Sequence, residues 1–553
     1  MAEEKITYNY CMGTGCHEVC VLTTHVQDGH IVRTEETSDP NTGRWLNGIC
    51  QKGIDYVKFP YMDHPNRLKY PLKRVGKRGE GKFERISWEQ AFDEIGEKLA
   101  KIRDENGPEA VLVNDFASSY PGVFSAVAMP LLWRFIHKFG ASILPWTPVD
   151  VGLVWSDIFD FGTFFGVIGY DTRRMKDASK IIVWGASPIG WTMASNTSRN
   201  FMEAKEAGAK MITVGAVFDS TAAVSDQFIP IKPGTDVYMA LAMCNILFRD
   251  NLIDPQFLST HTVAPFLVRE DTGGFLRESE VVPGGDPQKY VVWNTMPAVP
   301  MGVAAHSPLP EGCEPDLFAQ PVVNGIRCAT ALVKIRDEVA AVTPEEQEKY
   351  TGVPAEVVEK LTRDYVLDDD ALLMVSTGMR YQNGGPACRA VTMIAALAGK
   401  IGKGKTLGFA SGGQLAEYPV TFNDLPIIFP DGDPSLLKGK FPLTIAEMLE
   451  AGFPYKALLN FMGNPVQTWP NKGLWTDTIF PKLDLIVVHE VRLSDTALYA
   501  DYVLPDTTTF ERYELAVKDG HLILCEPAIP PVGESRSISD VLAGISKRLG
   551  IGE

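Results

Sequence analysis

Four of the chain's nine cysteines fall in its first 50 residues: Cys11, Cys16, Cys20 and Cys50. Three thiolates close in sequence and a fourth farther on can converge on the irons of a cubane 4Fe–4S cluster. Zinc competes for this reading, because four thiolates also bind it tetrahedrally. Zinc sites, however, usually use two short CxxC knuckles rather than a three-plus-one set. Uncoordinated thiols are the third reading. Lys52 follows Cys50 by two residues. A cation there favours the reduced, more negative state of a cluster; a solvated surface charge is the plain alternative. Cys244, Cys313, Cys328, Cys388 and Cys525 stand apart from one another and read as small buried hydrophobes.

Two glycine-bearing turns form a second group. Gly185, Ser187 and Pro188 follow the apolar run KIIVW, and Gly463, Asn464 and Pro465 follow KALLNFM. Turns of this kind present backbone N–H groups at the carboxyl edge of a sheet, where phosphates bind. Neither matches GxGxxG, so ordinary nicotinamide binding is not indicated. Pro233, Gly234 and Asp236 set a short acid just past a tight turn. Its carboxylate can accept hydrogen bonds from a guanine edge. Alternatively, Thr235 and Asp236 merely open the helix VYMALAMCNIL.

The elements that must position these groups are legible in outline. Ser87 reads as an N-cap, followed by a helix with Trp88, Ala91, Phe92, Ile95 and Leu99 on one face. From about residue 110 the runs AVLVN, KIIVWG, KMITVG, ALLMVSTG, KALLNFMG and LDLIVVHE alternate with helical patterns. Short buried strands alternating with helices predict an α/β fold with parallel sheets. An internal repeat sharpens this expectation. TAAVSDQFIP (Thr221–Pro230) and TALYADYVLP (Thr496–Pro505) agree at Thr, Ala, Asp and Pro, 275 positions apart. Each lies downstream of one glycine turn, so two similar units and two similar ligand halves are expected. Residues from about 260 to 330 are rich in Pro and Gly without clear periodicity and read as an ordered insertion.

At 553 residues the chain is too long for a single core. Its net charge of −17 argues against nucleic acid and against an anionic membrane surface. No apolar run approaches the roughly 20 residues that span a bilayer, so direct membrane insertion is not expected. The start MAEEKITYNY has neither an apolar signal nor a twin-arginine pair, which predicts a cytoplasmic chain.

The cysteine set, NRLKYPLKRVGKRGEGKFERISWEQAFDEI, IIVWGASP, IPIKPGTDVYMALAM, GMRYQNGG, MGNP and HEVRLSDTALYADYVLP occur in this order from residue 11 to about 545. Together they resemble the dimethyl sulfoxide reductase superfamily of bis-molybdopterin guanine dinucleotide enzymes. The resemblance implies a 4Fe–4S cluster on the four cysteines, with Lys52 between it and one pterin. It implies one dinucleotide on the turn at Gly185 and another on the turn at Gly463, with Asp236 reading a guanine. Gly378, Met379 and Gln382 would approach the metal, and His489, Glu490 and Thr496 would line the second dinucleotide's path. The metal's protein ligand is sought in LPWTPVDVGLVWSDIFDFGTFFG, which holds no Cys and no Ser at the expected position. Asp150, 34 residues before Trp184, is assigned that role, with Thr147 next; an oxygen ligand suits a hard Mo or W centre.

The layout expected is a small cluster domain (1–60), a discontinuous α/β domain (61–145 with 340–553) and a second α/β domain (146–339) carrying the insertion, the two α/β domains being Rossmann-like and doubly wound. The activity expected is oxygen-atom or hydroxyl transfer with a small-molecule substrate, electrons leaving through the cluster to an iron–sulfur partner subunit. Related enzymes continue into a further β-barrel domain, expected here to be absent, supplied by another chain, or cut away from this one. The alternatives are a non-redox hydratase or transhydroxylase using the same cofactor, and an electron-transfer subunit that has lost it.

Overall fold

Chain order and sheet order differ in this protein, and that difference places a reversal of strand connection in each of its two large sheets. The computed structural model describes residues 4–11, 20–38, 49, 53–54, 65–114, 128–144, 172–190, 195–305, 307–375, 377–379, 383–402, 408–411, 449, 452, 454–461, 463–469, 471–518 and 521–552. Two compact units emerge: one of Met1–Asp150, Thr192–Arg199 and Gln414–Glu553, the other of Val151–Trp191 and Asn200–Gly413.

The first unit opens with an antiparallel meander of β1 (Lys5–Tyr10), β2 (Val21–Gln27) and β3 (His30–Glu36). Expected as a domain of its own, the meander is instead tied into this unit. Asn9 is fully buried and its side-chain amide donates to the carbonyls of Thr509 at 3.2 Å and Glu526 at 2.8 Å. Next come β4 (Leu72–Arg74), β5 (Phe83–Arg85), β6 (Val111–Asn114) and β7 (Ser142–Ile143). Between β5 and β6 runs the expected helix, Trp88–Asn106. Ser87 caps it by accepting from the Gln90 N–H at 3.1 Å, and Trp88, Ala91, Phe92, Ile95 and Leu99 are buried.

The second unit holds a five-stranded, all-parallel sheet of β8 (Lys180–Trp184), β9 (Lys210–Gly215), β10 (Gln227–Pro230), β16 (Ala371–Val375) and β17 (Phe409–Ser411), in the order β10-β9-β8-β16-β17. Both faces are covered. Ile181 and Val183 pack with Phe201 and Met211, while Ile182 and Trp184 pack with Met239, Met243 and Val391. Burial on both faces is what makes these strands continuous apolar runs. The insertion supplies β11 (Leu267–Arg269), β12 (Tyr290–Trp293), β13 (Pro300–Val303), β14 (Val322–Val323) and β15 (Ile326–Thr330), which form two small antiparallel sheets.

The chain then returns to the first unit with β18 (Ala457–Phe461), β19 (Leu485–Glu490), β20 (Tyr502–Pro505), β21 (Glu514–Lys518) and β22 (His521–Cys525). Five strands of the resulting seven-stranded sheet are parallel in the order β20-β19-β18-β6-β7, with β4 and β5 added antiparallel beyond β20. This is the order of the other sheet, strand for strand. One boundary needs correction. Residues 340–413 do not join this sheet; Ala371–Val375 pairs in register with Lys180–Trp184, and the whole segment lies in the second unit. Cys244, Cys328, Cys388 and Cys525 are buried as expected, and Cys313 is half-buried.

Candidate functional site

In an open parallel sheet, ligands bind beyond the carboxyl ends of the strands, where neighbouring strands connect in opposite directions. In the second unit that point lies between β8 and β16. Gly185, immediately after β8, adopts φ +62°, a conformation cheap only for glycine. Gly378 follows β16 and donates its N–H to the Gly185 carbonyl at 2.8 Å. A Cβ on Gly378 would stand 2.5 Å from that carbonyl oxygen, so the two turns touch because both are glycine. Met379 is buried beside them. Asp236 is the first residue of the helix Asp236–Arg249, and Thr235 makes no side-chain cap bond. The Asp236 carboxylate accepts instead from Trp184 Nε1 at 2.8 Å. Burial raises its pKa, against the opposing effect of the Trp184 bond. Gly234 accepts from the Asn383 side chain at 2.9 Å. The structure thus brings Gly185, Ser187, Pro188, Gly378, Met379 and the Pro233–Asp236 turn together at one sheet edge.

The equivalent point in the first unit lies between β18 and β6. Asn114 ends β6 and donates to Asn460 Oδ1 at 2.7 Å; Asn460 in turn donates to the Gly463 carbonyl at 2.6 Å. A Cβ on Gly463 would meet Asn114 Nδ2 at 2.1 Å, which explains glycine there. Asn464 does not offer its side chain outward. Its Oδ1 accepts from both the N–H (3.1 Å) and the hydroxyl (2.8 Å) of Thr496, and its Nδ2 donates to Gln467 at 2.9 Å.

His489 and Glu490 close β19 inside a buried charged cluster. His489 Nε2 donates to the Arg536 carbonyl at 3.0 Å and lies 3.5 Å from Asp506 Oδ1. That leaves Nδ1 as a buried acceptor, and it has no hydrogen-bond partner among the described residues; the same is true of Asp506 Oδ2. Burial lowers the pKa of His489, opposed by Asp506. Burial likewise raises Asp506, and it raises Glu490 to about 7. Arg67 and Glu511 form a fully buried pair at 2.9 Å, and Arg67 also donates to the Asp506 carbonyl at 2.7 Å. Buried polar atoms without partners are costly, so this edge suits a polar ligand that supplies them.

Of the cysteines, Cys11 and Cys20 lie opposite each other at the mouth of the β1–β2 hairpin, the Cys11 N–H donating to the Cys20 carbonyl at 2.8 Å. Cys16, Cys50, Lys52, Thr147, Asp150 and Gln382 lie outside the described residues. Sequence reasoning missed Trp184, Asn114, Asn460, Asp506 and Thr221, whose Oγ1 accepts from the Ile189 N–H at 3.0 Å. Thr221 was open to discovery, since it sits in the repeat.

Residues 67–548 match the profile of molybdopterin oxidoreductase. The chain is 29% identical to the perchlorate reductase subunit alpha of Dechloromonas aromatica (strain RCB), over 97% of this chain and 64% of that one. It is 26% identical to dimethyl sulfoxide reductase DmsA of Escherichia coli (strain K12), over 100% of this chain and 65% of that one. It therefore spans 64–65% of the length of these two relatives. Acetylene hydratase from Pelobacter acetylenicus shares the fold, with a TM-score of 0.70 at 20% identity, covering 99% of this chain and 69% of that one. No helix among the described residues is long and apolar enough to cross a membrane. A profile match over so much of the chain, on a fold with two parallel sheets, makes this chain a member of the molybdopterin oxidoreductase family of enzymes, which carry molybdenum or tungsten on a pterin.

Proposed function

We propose that this chain is the catalytic part of a molybdenum- or tungsten-dependent oxidoreductase that transfers an oxygen atom or hydroxyl group to or from a small-molecule substrate. The observation that carries the reading is the duplication: the same five-strand order ends twice in a glycine turn at a sheet's carboxyl edge. Two such edges suit two pterin guanine dinucleotides. Gly185, Ser187, Pro188, Pro233, Gly234, Asp236, Gly378, Met379 and Gln382 would hold one. Gly463, Asn464, Pro465, His489, Glu490 and Thr496 would hold the other, with Asn464 contributing through its backbone. His489 Nδ1 and Asp506 Oδ2, which have no hydrogen-bond partner among the described residues, fit a polar ligand there.

Cys11 and Cys20, adjacent across the hairpin mouth, would hold a 4Fe–4S cluster together with Cys16 and Cys50, Lys52 lying on the cofactor side. Asp150 would bind the metal, with Thr147 the next candidate. When bound, the pterin-held metal supplies two-electron transfer and the cluster carries electrons singly. A relative named as a subunit alpha supports an iron–sulfur partner subunit as the electron acceptor or donor.

The test is stoichiometry. Protein purified without oxygen and treated with acid should release two guanine nucleotides for each Mo or W. Release of no guanine nucleotide, with no Mo or W, overturns the reading in favour of an electron-transfer subunit. Turnover without any external electron donor or acceptor replaces it with the hydratase reading.

A further inference from the structure

The two copies of the repeat agree at few positions, and the polar identities perform the same tasks twice. In the first copy, the Asp226 carboxylate accepts from the Met211 N–H at 2.8 Å; in the second, the Asp501 carboxylate accepts from the Ile486 N–H at 2.8 Å. Each bond ties the start of the third strand to the start of the second. The threonines work at the opposite end. Thr221 Oγ1 accepts from the Ile189 N–H at 3.0 Å and shares a hydrogen bond with Ser187 Oγ at 3.2 Å. Thr496 Oγ1 accepts from the Val466 N–H at 3.2 Å and donates to Asn464 Oδ1 at 2.8 Å. Ile189 and Val466 each follow the turn's proline, and Ser187 and Asn464 each precede it.

One hydroxyl therefore grips both flanks of the proline in each turn. Proline has no N–H of its own, so the residue after it is the first that can be anchored from the exit side. The grip also joins the loop leaving the first strand to the loop leaving the second, and a ligand lying along the sheet edge crosses both. Both threonines are fully buried, so water does not substitute for the bonds they make.

We infer that Thr221 and Thr496 are positioning residues, each locking one ligand-bearing turn and acting on that turn alone. The inference rests on the reading that each turn receives one guanine dinucleotide. The variants are Thr221→Val and Thr496→Val, which keep the side chain's shape and remove the hydroxyl, with Thr221→Ser and Thr496→Ser restoring it. In the purified holoenzyme, Thr221→Val should speed amide exchange in the peptide over 185–190 by about tenfold, as expected for one lost hydrogen bond. Exchange over 463–469 should stay at the parent rate. Thr496→Val should do the reverse, and each Ser variant should return the parent pattern. Guanine nucleotide content should fall from two towards one per chain in either Val variant. A Val variant that leaves its own turn's exchange unchanged, or speeds both turns equally, overturns the lock. A parent protein without guanine nucleotide overturns the proposed function instead, and the exchange data still judge the lock.

Discussion

Trp184 and Asp236 are joined by a hydrogen bond of 2.8 Å that runs from the last residue of β8 to the first residue of the helix after β10. The indole thereby fixes one carboxylate oxygen; under the proposed function the same carboxylate also takes a guanine edge. Asp236→Ala strands a buried indole N–H and should cost about 1–3 kcal/mol. Asp236→Asn keeps an acceptor for Trp184 and should cost less than about 1 kcal/mol, yet it should lower the guanine nucleotide content. Thermal unfolding and acid release on the same samples separate the two roles. Full nucleotide content in Asp236→Asn would leave Asp236 as an orienting residue only.

Glu490 gives the stability a pH dependence of definite sign. Its folded pKa is raised from 4.5 to about 7, mainly by burial. The stabilisation that belongs to the protonated acid is complete below about pH 4.5 and is lost as pH rises through about 7, on the order of 3 kcal/mol at most. Asp506, also raised, acts in the same sense, whereas His489, lowered, favours the native state at higher pH. Comparing Glu490→Gln with the parent at each pH removes those contributions. The parent should lose stability relative to Glu490→Gln between pH 5 and 8, measured as denaturant midpoints. Parallel curves would mean that Glu490 stays charged.

Gly378→Ala should be the more disruptive of two small changes at the β8–β16 point. Its Cβ would press on the Gly185 backbone at 2.5 Å, where no side chain can swing aside, and a cost of about 2–3 kcal/mol is expected. Gly385→Ala, where a Cβ meets nothing within 4 Å, should be neutral. Equal stability of the two variants would show that the Gly185–Gly378 contact yields easily.

The cluster and the metal should be separable. Protein purified without oxygen should hold about four irons and four acid-labile sulfides, as four thiolates imply, and Cys16→Ala should lose them. Asp150→Ala should keep the iron, lose most turnover and change the X-ray absorption edge of the Mo or W. An unchanged edge moves the search to Thr147.

The six apolar runs were legible as strands because parallel strands buried on both faces admit few polar residues. What periodicity cannot convey is which sheet a strand joins. ALLMV reads alike in either setting, and only its pairing with Lys180–Trp184 places residues 340–413 in the second unit. Glycine after an apolar run marked both turns, whereas Thr496 was named only through the family resemblance, and the repeat that contains both threonines was not used to reach Thr221. The charged cluster escaped notice for a different reason. Arg67 and Glu511 lie 444 residues apart, and neither residue's sequence neighbours suggest a partner. Asn464 was rightly placed in the turn, but its type alone did not reveal that Thr496 and Gln467 occupy its side chain.

The pairing of β6 with β18 also sets a timetable for synthesis. Asn114 must wait for Asn460, 346 residues later, and at ribosomal rates of roughly 5–20 residues per second the delay is roughly 20–70 s. The strands of the second unit's sheet all emerge within that interval, so that sheet can close while β6, apolar from Val111 to Val113 and buried throughout in the folded chain, still lacks its neighbour on the β18 side. An unpaired apolar strand is an aggregation hazard. Expression that slows translation after residue 411, or that lacks a holding chaperone, should therefore yield insoluble chain even when every cofactor is supplied.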